Sequence, residues 1–261
     1  MCNRAGAISA ACLWRAEPEA KEAASRRHGN NGSAVVDATR VFVPVGSPKK
    51  GTLVAFDKVS GKELWRAGQD NTAYSSVMTA TLAGVPQVVH FTADALMGVE
   101  AATGKLLWRE PLKTGAKRHV ATPLIDGDTV TVCSTSIGTI RFKVSQSGGA
   151  FSLQRQWENP AMKVVISSPI QVGNLLFSPG PGAKCDLVCL GAEGGVERWR
   201  EPGLGDYASI TAVNNALLVL DSTGELRMVE ASEAGYKEQG RLHVIGKTWA
   251  SPAYSDGRVF L

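Results

Sequence analysis

Apolar residues along the chain gather in short runs rich in Val, Ile and Leu, and the runs come in pairs joined by tight turns. Six such pairs can be stacked: "GSAVVDATRVFVPVG" from 32, "YSSVMTATLAGVPQVVHFT" from 74, "VATPLIDGDTVTVCS" from 120, "ISSPIQVGNLLFSPG" from 166, "YASITAVNNALLVLD" from 207 and "WASPAYSDGRVFL" from 249. Aligned on a Pro or its stand-in, the anchors are Ala34, Val77, Pro123, Pro169, Ile210 and Pro252, separated by 43, 46, 46, 41 and 42 residues. Each start predicts two strands joined by a turn such as "DGD" at 126–128, "VGN" at 172–174 or "SDG" at 255–257. A second hairpin follows, clearest in "GTLVAFDKVSGKELWR", where Asp57 is placed to cap the turn and Gly61 to supply its positive φ.

Four strands in each unit of 41–46 residues predict an all-β fold, a β-propeller of four-stranded blades. The expected boundaries are an N-terminal extension over 1–31, blades over 32–73, 74–119, 120–165, 166–206 and 207–248, and a partial blade over 249–261. A tryptophan recurs in register. "SGKELWR" at 60–66, "TGKLLWR" at 103–109 and "GGVERWR" at 194–200 set Trp65, Trp108 and Trp199 four residues after Gly61, Gly104 and Gly195. Trp157 follows the longer turn "SQSGGAFSLQRQ", and the fifth unit puts Leu242 near the position. An indole at the end of the outermost strand buries roughly 150–250 Å² against the neighbouring blade, while the charges beside it read as solvated.

These residues resemble a known family. "VAFDKVSGKELW" and "MGVEAATGKLLW" are similar to the tryptophan-docking repeat of the PQQ-like, quinoprotein type, Ala-x-Asp-x-x-Thr-Gly-x-x-x-Trp. The resemblance covers residues 32–261 and implies a blade from an eight-bladed ring, as in quinoprotein alcohol dehydrogenases and in the assembly lipoprotein of the outer-membrane β-barrel machinery. It also implies a periplasmic or cell-envelope location. Five units and a hairpin fall short of the about 330 residues that eight blades of this period require, so a fragment of a longer protein is expected. The repeat letters serve packing and imply no activity.

The balance of 28 Lys and Arg against 24 Asp and Glu leaves +4, with the basic residues scattered, which favours no nucleic acid. No apolar run reaches the roughly 20 residues of a transmembrane helix. "MCNRAGAISAAC" sets a short apolar stretch before Cys12, a poor signal segment, and "AEPEAKEAASRR" at 16–27 is charged and helix-compatible; the region is expected to be an N-terminal extension, disordered or a poor signal segment. Cys133 and Cys189 read as small buried residues, and the five cysteines form no C-x-x-C. His28, His90, His119 and His243 lack ligand spacing, so no metal site is expected, and "GPGAK" at 180–184 reads as a turn rather than a phosphate loop. Asp57, Glu100, Asp126, Asp128, Asp221 and Asp256 fall in turns, where capping explains them, and no catalytic residue is assigned.

Propeller ligands bind at the channel mouth, here the position three before each anchor: Tyr74, Val120, Ile166, Tyr207 and Trp249. With Arg118, Lys163 and Lys247 just upstream, these form an aromatic, basic funnel for a sugar, a quinone or an anionic peptide, or else pack between strands. The expectation is a non-catalytic binding or scaffold module, with a protein or a small polar or sugar ligand at the propeller face and no cofactor. Two alternatives stand: part of a PQQ-dependent alcohol dehydrogenase using PQQ and Ca²⁺, and a sensor or display domain of a larger secreted protein.

Overall fold

The computed structural model describes residues 14–16, 31–71, 73–113, 118–180 and 185–261, and every regular element among them is a β-strand. The first sheet is β1 (Val35–Val36), β2 (Arg40–Ser47), β3 (Gly51–Asp57) and β4 (Glu63–Ala67). The second is β5 (Met78–Leu82), β6 (Val85–Phe91), β7 (Ala95–Glu100) and β8 (Leu106–Pro111). The third is β9 (Leu124–Asp126), β10 (Thr129–Ser134), β11 (Gly138–Ser147) and β12 (Ala150–Asn159), and the fourth β13 (Ile170–Val172), β14 (Leu175–Gly180), β15 (Asp186–Gly191) and β16 (Glu197–Glu201). The fifth is β17 (Ala208–Val213), β18 (Ala216–Asp221), β19 (Glu225–Glu230) and β20 (Glu238–His243); β21 (Ala253–Ser255) and β22 (Arg258–Phe260) pair as a hairpin. Each sheet runs in chain order with antiparallel neighbours.

The core lies between sheets, because a four-stranded sheet has no cover of its own. Four apolar clusters fill the four seams between consecutive blades. The third strands explain how one sheet serves two seams. In β7, Leu96 joins Phe91, Val130 and Phe142 on one side, while Met97 and Val99 join Phe42 and Leu53 on the other. In β15, Leu187 and Cys189 face the fifth blade, and Val188 and Leu190 face the third. Strands buried on both faces read as continuous apolar runs, and "ALMGVE" and "DLVCLG" do so. Each such Leu contributes roughly 1.5–3 kcal/mol on burial, so a blade owes its stability to its neighbours.

All five blades carry a bulge between their third and fourth strands, at Ala55/Phe56, Gly98/Val99, Arg141/Phe142, Cys189/Leu190 and Met228/Val229. The residue just past it on the fourth strand is Trp65, Trp108, Trp157, Trp199 and, in the fifth blade, Gly240. Gly240 therefore holds the place expected near Leu242, which lies two residues on and is exposed. The extra residue also changes which charges meet. On a regular strand residues three apart face opposite sides, and the bulge returns them to one side. Glu63 thus holds Arg66 through two bonds of 2.7 Å, and Glu197–Arg200 and Glu238–Arg241 repeat the pair. These charges, expected to be solvated, are paired at the surface, where each pair is worth at most about 1 kcal/mol.

Three indoles reach the next blade. Trp65 Nε1 donates to the Ala101 carbonyl at 3.2 Å, Trp157 to Ala192 at 2.8 Å and Trp199 to Ser232 at 2.7 Å. Gly104 and Gly195, at φ 73° and 65°, lie directly under the rings of Trp65 and Trp157. Trp199 instead meets Tyr236 edge-on at 6.1 Å. Trp108 differs: it folds over Gly98 of its own blade and donates to Gln87 Oε1 at 2.6 Å. The third blade explains this. Its β11 and β12 run ten residues each and turn at Gly148–Gly149, so no docking glycine stands where Trp108 would need one. Of the 1–31 region, 14–16 and Asn31 are described, and Trp14 sits over Gly61 with its Nε1 donating to the Lys58 carbonyl at 3.0 Å. "GPGAK" lies outside the described residues from 181 to 184.

Candidate functional site

The residue just before each anchor carries a hydroxyl: Ser33, Ser76, Thr122, Ser168, Ser209 and Ser251. These groups stitch neighbouring blades where their first strands begin. Ser33 N donates to Ser76 Oγ at 3.0 Å and Thr122 N to Ser168 Oγ at 2.9 Å. Further along, Ser209 Oγ donates to the Ala250 carbonyl at 3.0 Å, Thr211 Oγ1 to Pro252 at 2.7 Å, and Ser167 Oγ to Ala208. The recurrence is visible in the sequence once the repeats are aligned, but it lies two residues past the positions singled out as the channel mouth.

The first strands of the fourth, fifth and sixth units meet at a cleft of about 190 Å³. Ser167, Ser168, Ser209, Thr248 and Ser251 supply hydroxyls, Tyr207 and Trp249 supply rings, and Ile166, Ile170, Ile210 and Leu220 supply apolar surface. Tyr207 and Trp249 stand edge to face, with centroids 5.1 Å apart and planes at 71°. Trp249 is 66% exposed.

The structure brings together only part of the expected funnel. Ile166, Tyr207 and Trp249 line the cleft, whereas Tyr74, Arg118, Lys163 and Lys247 do not. Lys163, Lys247 and Arg118 are exposed. Tyr74 is half-buried at a different seam, where its N–H and that of Ser75 both donate to the His119 carbonyl at 3.0 Å. The cleft is therefore neutral. It does not fit pyrroloquinoline quinone with Ca²⁺, because the quinone bears carboxylates and Ca²⁺ takes six to eight oxygens including carboxylates, and this lining holds neither cation nor carboxylate.

A second cleft, of about 390 Å³, lies between the first two blades and is lined by Gly68, Gln69, Asp70, Met97, Leu106 and Arg109. Arg109 grips Asp70 there at 2.7 Å, which raises the guanidinium pKa, and Asp70 also receives Thr92 Oγ1 at 3.1 Å. Those contacts join blade to blade and leave no free acid or base. Nearby His119 is fully buried, stacked on Phe91 at 3.9 Å, with Nε2 at 2.7 Å from the Leu112 carbonyl. Burial lowers its pKa.

The acidic turn residues divide. Asp57 and Asp221 accept the backbone N–H groups of their own turns, and the bonds from Ser60 hold the Asp57 pKa down. Asp126 accepts instead from Arg141 Nη2 at 3.0 Å and from Gln171 of the fourth blade at 2.8 Å, and Asp128 accepts from Ala83 N of the second at 2.6 Å. Burial pushes the Cys133 and Cys189 thiols up to about 12 and Cys185 to about 11. Among the described residues no three of His, Cys, Asp and Glu group as metal ligands, and no helix is long and apolar enough to cross a membrane.

Comparison with known proteins places this architecture. BamB from Moraxella catarrhalis superposes with a TM-score of 0.63 at 15% identity, over 87% of this chain and 64% of that one. A europium-containing methanol dehydrogenase superposes with a TM-score of 0.54 at 13% identity, over 81% of this chain and 51% of that one. The fold is a β-propeller of the PQQ-like repeat type, and the chain spans about two-thirds of the BamB structure and half of the dehydrogenase. No curated protein sequence matches it. The family model described as outer membrane protein assembly factor BamB matches residues 7–179, well over half of the chain, and the protein belongs to that family.

Proposed function

We propose that the chain is a non-catalytic binding or scaffold module of the cell envelope, which presents the ends of its first strands to a protein partner and uses no cofactor. The observation that carries this reading is the neutral lining of the Tyr207–Trp249 cleft, which offers rings and hydroxyls for contact and no acid, base or cation for chemistry. Membership of a family named for outer membrane protein assembly supports a protein partner and a periplasmic location. Arg118, Lys163 and Lys247, exposed and outside the cleft, have no part in ligand contact in this reading, and Tyr74 acts as a packing residue. The likeness to a methanol dehydrogenase is one of fold.

The test is photo-crosslinking in envelope extract from a probe placed at Lys247, with products identified by mass spectrometry. A defined envelope protein is expected, and Trp249→Ala is expected to abolish its capture. Stoichiometric uptake of PQQ with Ca²⁺, followed by dye-linked alcohol oxidation, overturns the reading in favour of a quinoprotein oxidoreductase.

A further inference from the structure

We infer that the Tyr207–Trp249 cleft is a subsite for one neutral sugar ring; this ligand class rests on the binding-module reading above and narrows it. The volume of about 190 Å³ is below the roughly 300–1,000 Å³ of a pocket that encloses a drug-sized ligand, which suits a single small ring. Charge decides the class. No Asp, Glu, Lys, Arg or His lines the cleft, so a uronate, a phosphate or an acidic peptide would lose its hydration there without a counter-charge.

The hydroxyls decide against a purely apolar ligand. Ser167 and Ser209 donate to the Ala208 and Ala250 carbonyls, which leaves their lone pairs to accept. Ser168 and Thr248 accept from the N–H groups of Thr122 and Ala250, which leaves their hydrogens to donate. The wall thus offers both donors and acceptors, and a sugar hydroxyl is both. An apolar occupant would strip water from these groups and return nothing. Trp249 completes the match. Its residue is two-thirds exposed and its ring stands at 71° to that of Tyr207, so aromatic surface lies beside the hydroxyls of the cleft. The axial C–H face of a pyranose carries slight positive charge and covers such a ring.

Saturation-transfer NMR on the full chain, titrated with methyl β-glucoside, methyl β-galactoside, N-acetylglucosamine and glucuronate, tests this. Saturable binding of at least one neutral ring is expected, with saturation strongest at the protons of one ring face. Trp249→Ala should weaken it about tenfold, glucuronate should bind more weakly, and Leu242→Ala, exposed and outside the cleft, should change nothing. Circular dichroism of each variant keeps loss of fold apart from loss of binding. No saturable binding by any neutral ring, an unchanged affinity in Trp249→Ala, or glucuronate bound as well as the glucosides overturns the inference. Envelope-protein capture without sugar binding overturns it alone, whereas sugar binding without capture sustains it and removes the protein partner.

Discussion

A β-carbon added to Gly104 would lie 2.6 Å from Cδ2 of Trp65 in the preceding blade, and Gly104 itself holds φ 73°. One residue closes its own hairpin and floors its neighbour's indole; the first demand disfavours a side chain and the second leaves no room for one. Left-handed backbone costs a non-glycine residue about 1–2 kcal/mol, and displacing Trp65 from its seat adds to that. Gly104→Ala is expected to lower the unfolding free energy by about 2–4 kcal/mol. Gly127, at φ 53° with open space around its missing side chain, provides the control, and its Ala variant should lose only about 1 kcal/mol. Urea denaturation of both variants reads the difference, and equal losses would show that the indole seat is slack.

Trp108 offers a different test, because its partner is a side chain of its own blade. Gln87 Oε1 accepts the indole N–H at 2.6 Å and Gln87 Nε2 donates to the Leu82 carbonyl at 3.0 Å, with both residues buried. Gln87→Leu orphans the buried indole N–H and is expected to cost about 1–3 kcal/mol. Trp108→Phe removes the donor, so the double variant should lose less than the sum of the two single ones, and the thermal unfolding of the four proteins forms the cycle. Additive losses would mean that the bond contributes nothing.

The contrast between Trp65 and Trp108 also marks how much of the fold could be read from the residues. Blade period and the Gly-to-Trp spacing are repeated local patterns; Trp65, Gly104 and Gly195 follow from the spacing, and Trp157, after its longer turn, from the blade period alone. Trp108 obeys the same letters but lacks a floor in the next blade, because the third blade's hairpin is longer and its turn lies elsewhere. The site was legible to a lesser degree. Position three before the anchor selects equivalent backbone places, yet the ring that reaches its neighbour depends on each side chain's direction, so Tyr207 meets Trp249 while Tyr74 lies at another seam. The hydroxyl before every anchor was a regular signal hidden by the frequency of Ser and Thr near turns.

Trp14 is the residue whose role the repeat spelled out without the spacing to announce it. Leu13-Trp14-Arg15-Ala16 matches Leu64-Trp65-Arg66-Ala67 letter for letter, but Trp14 precedes Trp65 by 51 positions, beyond the 42–49 that separate Trp65, Trp108, Trp157 and Trp199. Its indole covers Gly61, lies 5.9 Å from Phe56 and donates to the Lys58 carbonyl. It therefore shields the outer face of the first blade as Trp65 shields the second. Trp14→Ala is expected to cost about 1–3 kcal/mol, below the 3–5 of a fully buried ring because the indole is only half-buried. Hydrogen exchange at Lys58 to Lys62 should quicken, with the fourth and fifth blades unaffected. Uniform quickening along the chain would show that the loss is global.

His119 makes the acid side of the stability curve predictable. Its ring is fully buried on Phe91, and burial lowers its pKa against the raising effects of the Leu112 carbonyl and Asp94. The folded state therefore holds the neutral imidazole, while the unfolded chain takes up a proton near the ordinary value of 6.5. A depressed folded pKa gives stability that is complete above about pH 6.5 and is lost as the pH falls below that value towards the folded pKa. His119→Gln keeps a donor for the Leu112 carbonyl and cannot titrate. The variant should be less stable than the wild type at pH 8, and the gap should narrow steadily as the pH is lowered from 6.5 to 5. Guanidinium denaturation at four pH values measures it. A gap constant with pH would mean that His119 is as easily protonated inside the second seam as in water, and that the stack on Phe91 tolerates the charge.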